Sequence, residues 1–114
     1  MNALRVLIAT STLCCVSIAG AAEPAKTAPV DGKQVFSNWC APCHTSGRFM
    51  PGTMALQARY QGAKPALLEQ RTDLTPAIVK TFVRNGIGIM APFRKTEVSD
   101  AQLEALAAYL GKSK

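Results

Sequence analysis

Aromatic side chains are scarce in this sequence, with four Phe, two Tyr and one Trp among 114 residues. Histidine occurs once, and 7 acidic residues face 13 basic ones. Each shortage has a consequence. A domain of this length has a marginal core even when large side chains are plentiful. With so few, the chain is short of apolar surface unless a bound group adds some. No segment alternates apolar and polar residues as a strand would, so the βαβ setting of a thioredoxin-like redox site is missing. There is no internal repeat. The basic residues are scattered rather than gathered into one patch, which argues against nucleic acid as the partner of a chain with net charge +6.

Long apolar runs are missing too. The best, Val6 to Ala19, follows a short segment with one positive charge, Arg5, and is too short to span a bilayer comfortably. It closes on Ala19-Gly20-Ala21-Ala22, the small-residue pattern at which a signal peptidase cuts. Cys14 and Cys15 lack the Leu-Ala-Gly context of a lipoprotein. The sequence therefore predicts a cleaved signal peptide over residues 1–22, a flexible segment over 23–30 and one domain over 31–114. Export implies the periplasm. Without the leader, 12 basic residues stand against 7 acidic, and only Cys40 and Cys43 remain of four cysteines. That leaves no disulfide framework. It also leaves two cysteines and one histidine where structural zinc needs four ligands.

Helix signals punctuate the rest. Asp31 is a predicted N-cap, with Gln34 placed for a capping box and Val30 and Val35 for a hydrophobic staple. The spacing predicts a helix over 32–39, with Val35, Phe36 and Trp39 inward. Shorter helices are expected over 54–60 and 65–70, among Gly and Pro residues that forbid long ones. Thr75-Pro76 restarts a helix with Ile78, Val79, Phe82 and Val83 as its buried face, and Asn85-Gly86 is expected to end it with a left-handed cap. Residues 86–96 have no helical period. Ser99, Gln102, Val98 and Leu103 then supply a complete capping box and staple for a last helix. Its apolar stripe is Leu103, Leu106 and Leu110, flanked by Tyr109. The expected class is all-α.

Between the first two helix signals stands Cys40-Ala41-Pro42-Cys43-His44, a C-x-x-C-H haem-attachment signature. Thiols three positions apart can add to the two vinyl groups on one porphyrin edge. The next residue then brings its imidazole to the iron.

From Asp31 to Leu110 the sequence resembles the class I c-type cytochromes. The resemblance implies the class I cytochrome c fold, with N- and C-terminal helices crossing around one covalently bound haem c. Phe36, four residues before the first cysteine, Gly32 at the crossing, and Leu106 with Tyr109 on the last helix match that family's packing positions. Residues 85–93, Asn-Gly-Ile-Gly-Ile-Met-Ala-Pro-Phe, resemble its G-x-x-x-M-P-x-F ligand loop, with proline displaced one place to Pro92. The resemblance thus implies Cys40 and Cys43 as covalent haem anchors and His44 and Met90 as axial iron ligands. Met50 and Met54 are expected to fill gaps around the ring. Pro51 is a candidate carbonyl acceptor for the His44 imidazole, and Arg59, Tyr60, Arg71 and Trp39 are candidates to hold haem propionates.

Two axial protein ligands leave iron no open position, so the expected role is single-electron transfer, not catalysis. Ile87, Ile89, Ala91, Pro92 and Phe93 are a candidate apolar docking patch, with Arg84, Arg94 and Lys95 as a basic rim. A ligand-sensing haem protein stays open if Met90 can be displaced. Residues 59–74 with 90–97 resemble cytochromes that serve periplasmic dehydrogenases, in particular the cytochrome subunit of p-cresol methylhydroxylase-type flavoproteins. The implied donor is a periplasmic dehydrogenase of flavoprotein type, and the implied acceptor a downstream cytochrome or oxidase. The chain would be a free carrier or a tightly bound electron-accepting subunit.

Overall fold

The computed structural model describes residues 28–111. The predicted signal peptide and residues 23–27 of the flexible segment lie outside the described residues. Among the described residues five helices run in order: α1 (Gly32–Trp39), α2 (Ala41–His44), α3 (Pro51–Tyr60), α4 (Pro76–Asn85) and α5 (Asp100–Leu110), with a 3-10 turn at Leu68–Gln70 between α3 and α4. Among the described residues there is no strand, only an isolated bridge between Ile87 and Met90. No described helix is long and apolar enough to cross a membrane.

Three of these helices begin where the sequence predicts. The Asp31 side chain accepts from the Lys33 N–H at 2.9 Å, Thr75 accepts from Ile78, and Ser99 and Gln102 form the full capping box of α5. The capping box expected for α1 does not form. Asp31 is engaged by Lys33, and the Gln34 side chain bonds Asn38 one turn on instead. In the middle of the chain α3 starts three residues earlier than expected, because Pro51 sits at the first helical position, where its missing N–H costs nothing. The helix expected over 65–70 contracts to the 3-10 turn.

α5 is the element on which α1 and α4 both pack. Leu103, Leu106, Ala107 and Leu110 are buried against Val35 and Phe36 of α1 and Val79 and Val83 of α4, with Val98 beneath them. Truncating one such leucine to alanine typically costs about 2–5 kcal/mol. That is a large share of the roughly 5–15 kcal/mol that holds a domain folded. α1 and α5 cross at Gly32, where a Cβ would lie 2.1 Å from the Ala105 carbonyl oxygen and 2.8 Å from the Tyr109 Cβ. Only glycine lets the two backbones meet there. The Phe36 and Tyr109 rings then contact one another at 6.0 Å. Crossing terminal helices with α4 packed against them are the all-α arrangement of the cytochrome c fold.

Trp39, Ile78 and Phe82 depart from expectation. All three read as core residues, yet each remains more than a third exposed. They lie on the inner sides of α1 and α4 but face a cavity, not another helix.

Candidate haem site

The cavity has a volume of about 500 Å³ and its wall is overwhelmingly apolar. Cys43 and His44 line it from α2 and Cys40 from the residue that precedes it, Met90 from the loop after α4, and Leu56, Leu68, Leu74, Val79, Val83 and Leu106 from the surrounding elements. α2 exists because α1 ends at Cys40, whose carbonyl accepts from both the Cys43 and His44 N–H groups at 3.1 and 2.9 Å. One helical turn therefore brings both thiols and the imidazole to a single wall.

Two features fit that wall to a bound metal macrocycle. Burial lowers the His44 pKa, so the imidazole is neutral, the form a metal requires. Its Nδ1 is buried with no hydrogen-bond partner from the chain. A buried polar atom left in this state is costly unless something in the cavity repays it. Cys40 argues against a dithiol redox centre. Burial, helped by Cys43, pushes its thiol up to about 11, whereas reactive C-x-x-C thiols have lowered values.

Pro51 does not accept from His44 Nδ1, contrary to the sequence expectation. The imidazole lies instead against Gly52, where a Cβ would fall 2.5–2.7 Å from three ring atoms. Gly52 is thus a site residue that sequence reasoning missed. Pro51-Gly52 reads as a chain breaker, and only the packed ring reveals why a side chain is forbidden. Below it, the Thr53 hydroxyl donates to the Thr45 carbonyl at 2.9 Å and ties the loop after His44 to α3.

Of the three methionines among the described residues, only Met90 lines the cavity. Met54 is exposed on α3 and Met50 is the residue preceding it, so neither fills gaps around a ring as expected. Met90 is held by a tight turn: Ile87 N–H to the Met90 carbonyl at 2.9 Å, and Met90 N–H to the Ile87 carbonyl at 3.0 Å. Gly86 makes the turn possible. Its φ of +69° suits glycine, and a Cβ would lie 2.4 Å from the Met90 carbonyl oxygen. With ψ of 175°, Gly86 lies outside the left-handed helical region in one open essentially to glycine alone, so the left-handed cap expected after Asn85 does not form.

The four residues expected to meet propionates all line the cavity. Arg71 is only 5% exposed. Its guanidinium donates to both Asp73 carboxylate oxygens at 2.6 and 2.8 Å and lies 4.6 Å over the Tyr60 ring. Lys64 donates to the same carboxylate, and Lys64 and Arg59 also approach Tyr60. Hydrogen bonds from Arg71 and then Lys64 hold the Asp73 carboxyl well below the usual carboxylate range. Three cations against one carboxylate leave this wall a net attraction for anionic groups.

The basic rim needs correcting. Arg84 is not free at the surface: its guanidinium bonds the Phe93 and Val98 carbonyls and Asp100. Arg94 and Lys95 are well exposed but pair with Glu97 and Asp100. Of the apolar patch, Ile89 is 79% exposed and Ile87 47%, but both line the cavity, as Ala91 and Phe93 do.

No curated protein matches the chain. Residues 27–110 match the profile of a family described as cytochrome C oxidase, cbb3-type, subunit III. That span takes in all five helices, the attachment motif and the methionine loop. The chain belongs to this family: it is a class I c-type cytochrome, a covalent haem c protein of electron transfer.

Proposed function

We propose that the chain is a periplasmic carrier of single electrons, taking them from a dehydrogenase and passing them towards the respiratory chain. The observation that carries this reading is the gathering of Cys40, Cys43, His44 and Met90 on one apolar cavity. Cys40 and Cys43 would hold haem c through thioethers, with His44 and Met90 as axial ligands. The group supplies a one-electron ferric–ferrous couple, raised in potential by thioether ligation. The chain does the rest. It excludes water with leucine and valine side chains and keeps the His44 imidazole neutral. Arg59, Lys64 and Arg71 would offer their cations to the haem propionates, and Ile87 and Ile89 would offer partners an apolar landing.

A closed coordination sphere has a direct test. Potentiometric titration of the purified protein is expected to show one reversible one-electron step, and the ferrous form is expected not to bind carbon monoxide. Prompt carbon monoxide binding would point to a ligand-sensing haem instead.

Support for the partners is uneven. The family description names an oxidase, which favours an acceptor on the oxidase side. The flavoprotein donor, and the p-cresol methylhydroxylase type in particular, rests on sequence resemblance alone. A tightly held subunit rests on that same resemblance. Charge separates the two cases. Arg94 and Lys95 are balanced by Glu97 and Asp100, so reversing both to glutamate makes this edge strongly acidic. For a diffusing carrier, reduction by an acidic donor is expected to slow roughly tenfold at low ionic strength, and the loss to shrink as salt is added. An unchanged, salt-independent rate would exclude steering and favour the permanent complex.

A further inference from the structure

Arg84 is the last basic residue of α4, and its side chain is 22% exposed. One of its terminal nitrogens donates to the Phe93 carbonyl at 3.1 Å and the Val98 carbonyl at 2.9 Å, and the other to Asp100 Oδ1 at 2.9 Å. Beside it, the Phe93 N–H donates to the Val83 carbonyl at 2.8 Å. Both backbone polar groups of Phe93 are thus bound to consecutive residues of the last turn of α4. Between departure at Gly86 and return at Phe93 the chain makes the loop that carries Met90. Val83 and Arg84 form its neck.

We propose that Arg84 is a positioning residue that locks this neck, and so governs how readily the iron exchanges Met90 for an outside ligand. The proposal rests on Met90 being an axial ligand. Inside the neck Met90 has only the Ile87 pairing to hold its backbone. That is a local turn, and it can swing as a unit if the neck opens. The neck is therefore the point at which loop opening is decided. A guanidinium suits the task because its fan of donors reaches three acceptors at once, two of them carbonyls five residues apart. A lysine ammonium keeps the charge but concentrates its donors on one nitrogen. Val98, whose carbonyl is one of the acceptors, is 1% exposed under α5, so the clamp is anchored in the core.

The test uses ferric holoprotein. Cyanide reaches the iron only when Met90 leaves, so its binding measures loop opening. The weak far-red charge-transfer band of thioether-ligated ferric haem reports the closed state. Arg84→Lys and Arg84→Gln are expected to bind cyanide at least roughly tenfold faster, the scale set by losing hydrogen bonds from a charged group. The haem should remain attached and helicity should be retained. Leu103→Val, which trims α5 away from the cavity, is expected to leave cyanide binding unchanged, separating a local clamp from a general loss of stability. If Arg84→Gln does not accumulate, Arg84→Lys carries the test. Cyanide binding at the wild-type rate in the Arg84 variants overturns the clamp, as does equal acceleration in Leu103→Val. If the wild type lacks the far-red band and Met90→Ala binds cyanide no faster than it does, the ligand assignment fails and the clamp fails with it.

Discussion

Changing both Cys40 and Cys43 to alanine is expected to remove covalent haem entirely and to leave little folded protein. The reason lies in the cavity as much as in the lost thioethers. Residual cavities in cores destabilise by about 24 cal/mol per Å³. For a volume of about 500 Å³ this comes to on the order of 10 kcal/mol. The whole stability of a domain is about 5–15 kcal/mol. The cavity opens partly to solvent, so the figure is an upper bound, but it is comparable to the whole net stability of a domain. Single substitutions should be milder, since one thioether still tethers the ring. Haem staining after denaturing electrophoresis, with circular dichroism of whatever protein is recovered, checks both halves. A double variant with native helicity and thermal stability would show that the helices do not need the group they surround.

Met90→Ala should leave the haem attached and change its electronic character. The far-red band should vanish, and cyanide or imidazole should bind the ferric iron readily. The potential should drop by on the order of 0.1–0.3 V, well within the ~0.8 V that axial ligands span. Met50→Ala and Met54→Ala should do none of this, because neither residue lines the cavity. The comparison is informative because alanine at position 90 keeps the hydrogen-bonded turn between Ile87 and residue 90, which uses main-chain atoms alone. The loop should therefore persist without its sulfur. If Met54→Ala abolishes the band and Met90→Ala does not, the assignment is wrong.

How much of this the sequence discloses depends on whether the signal is local. The starts of α1, α4 and α5 are legible because Asp31, Thr75 with Pro76, and Ser99 with Gln102 meet N–H groups two or three residues away. The attachment motif is legible for the same reason: one turn of helix positions all three of its reactive side chains. Readings that depend on distant partners fare differently. Periodicity marks Trp39, Ile78 and Phe82 as inward-facing, but it cannot distinguish an apolar cavity from an apolar core. Gly52 looks like half of a turn until the His44 ring is seen against it. Arg84 reads as a surface charge, because nothing local reveals that the Phe93 and Val98 carbonyls come within reach. Gln34 stands at the correct position for a capping box, but its amide donates to Asn38 Oδ1 instead of accepting from the Asp31 N–H, a choice that spacing alone does not resolve.

The central claim is that Cys40 and Cys43 hold a haem covalently within this cavity. Acid–acetone extraction of the purified native protein, followed by the intact mass of the denatured chain, tests it most directly. The account predicts a colourless organic layer and a polypeptide heavier by one haem, with the added mass on the peptide containing Cys40-Ala-Pro-Cys43-His44. Haem released into the organic layer, with both thiols free to react with iodoacetamide, would contradict it.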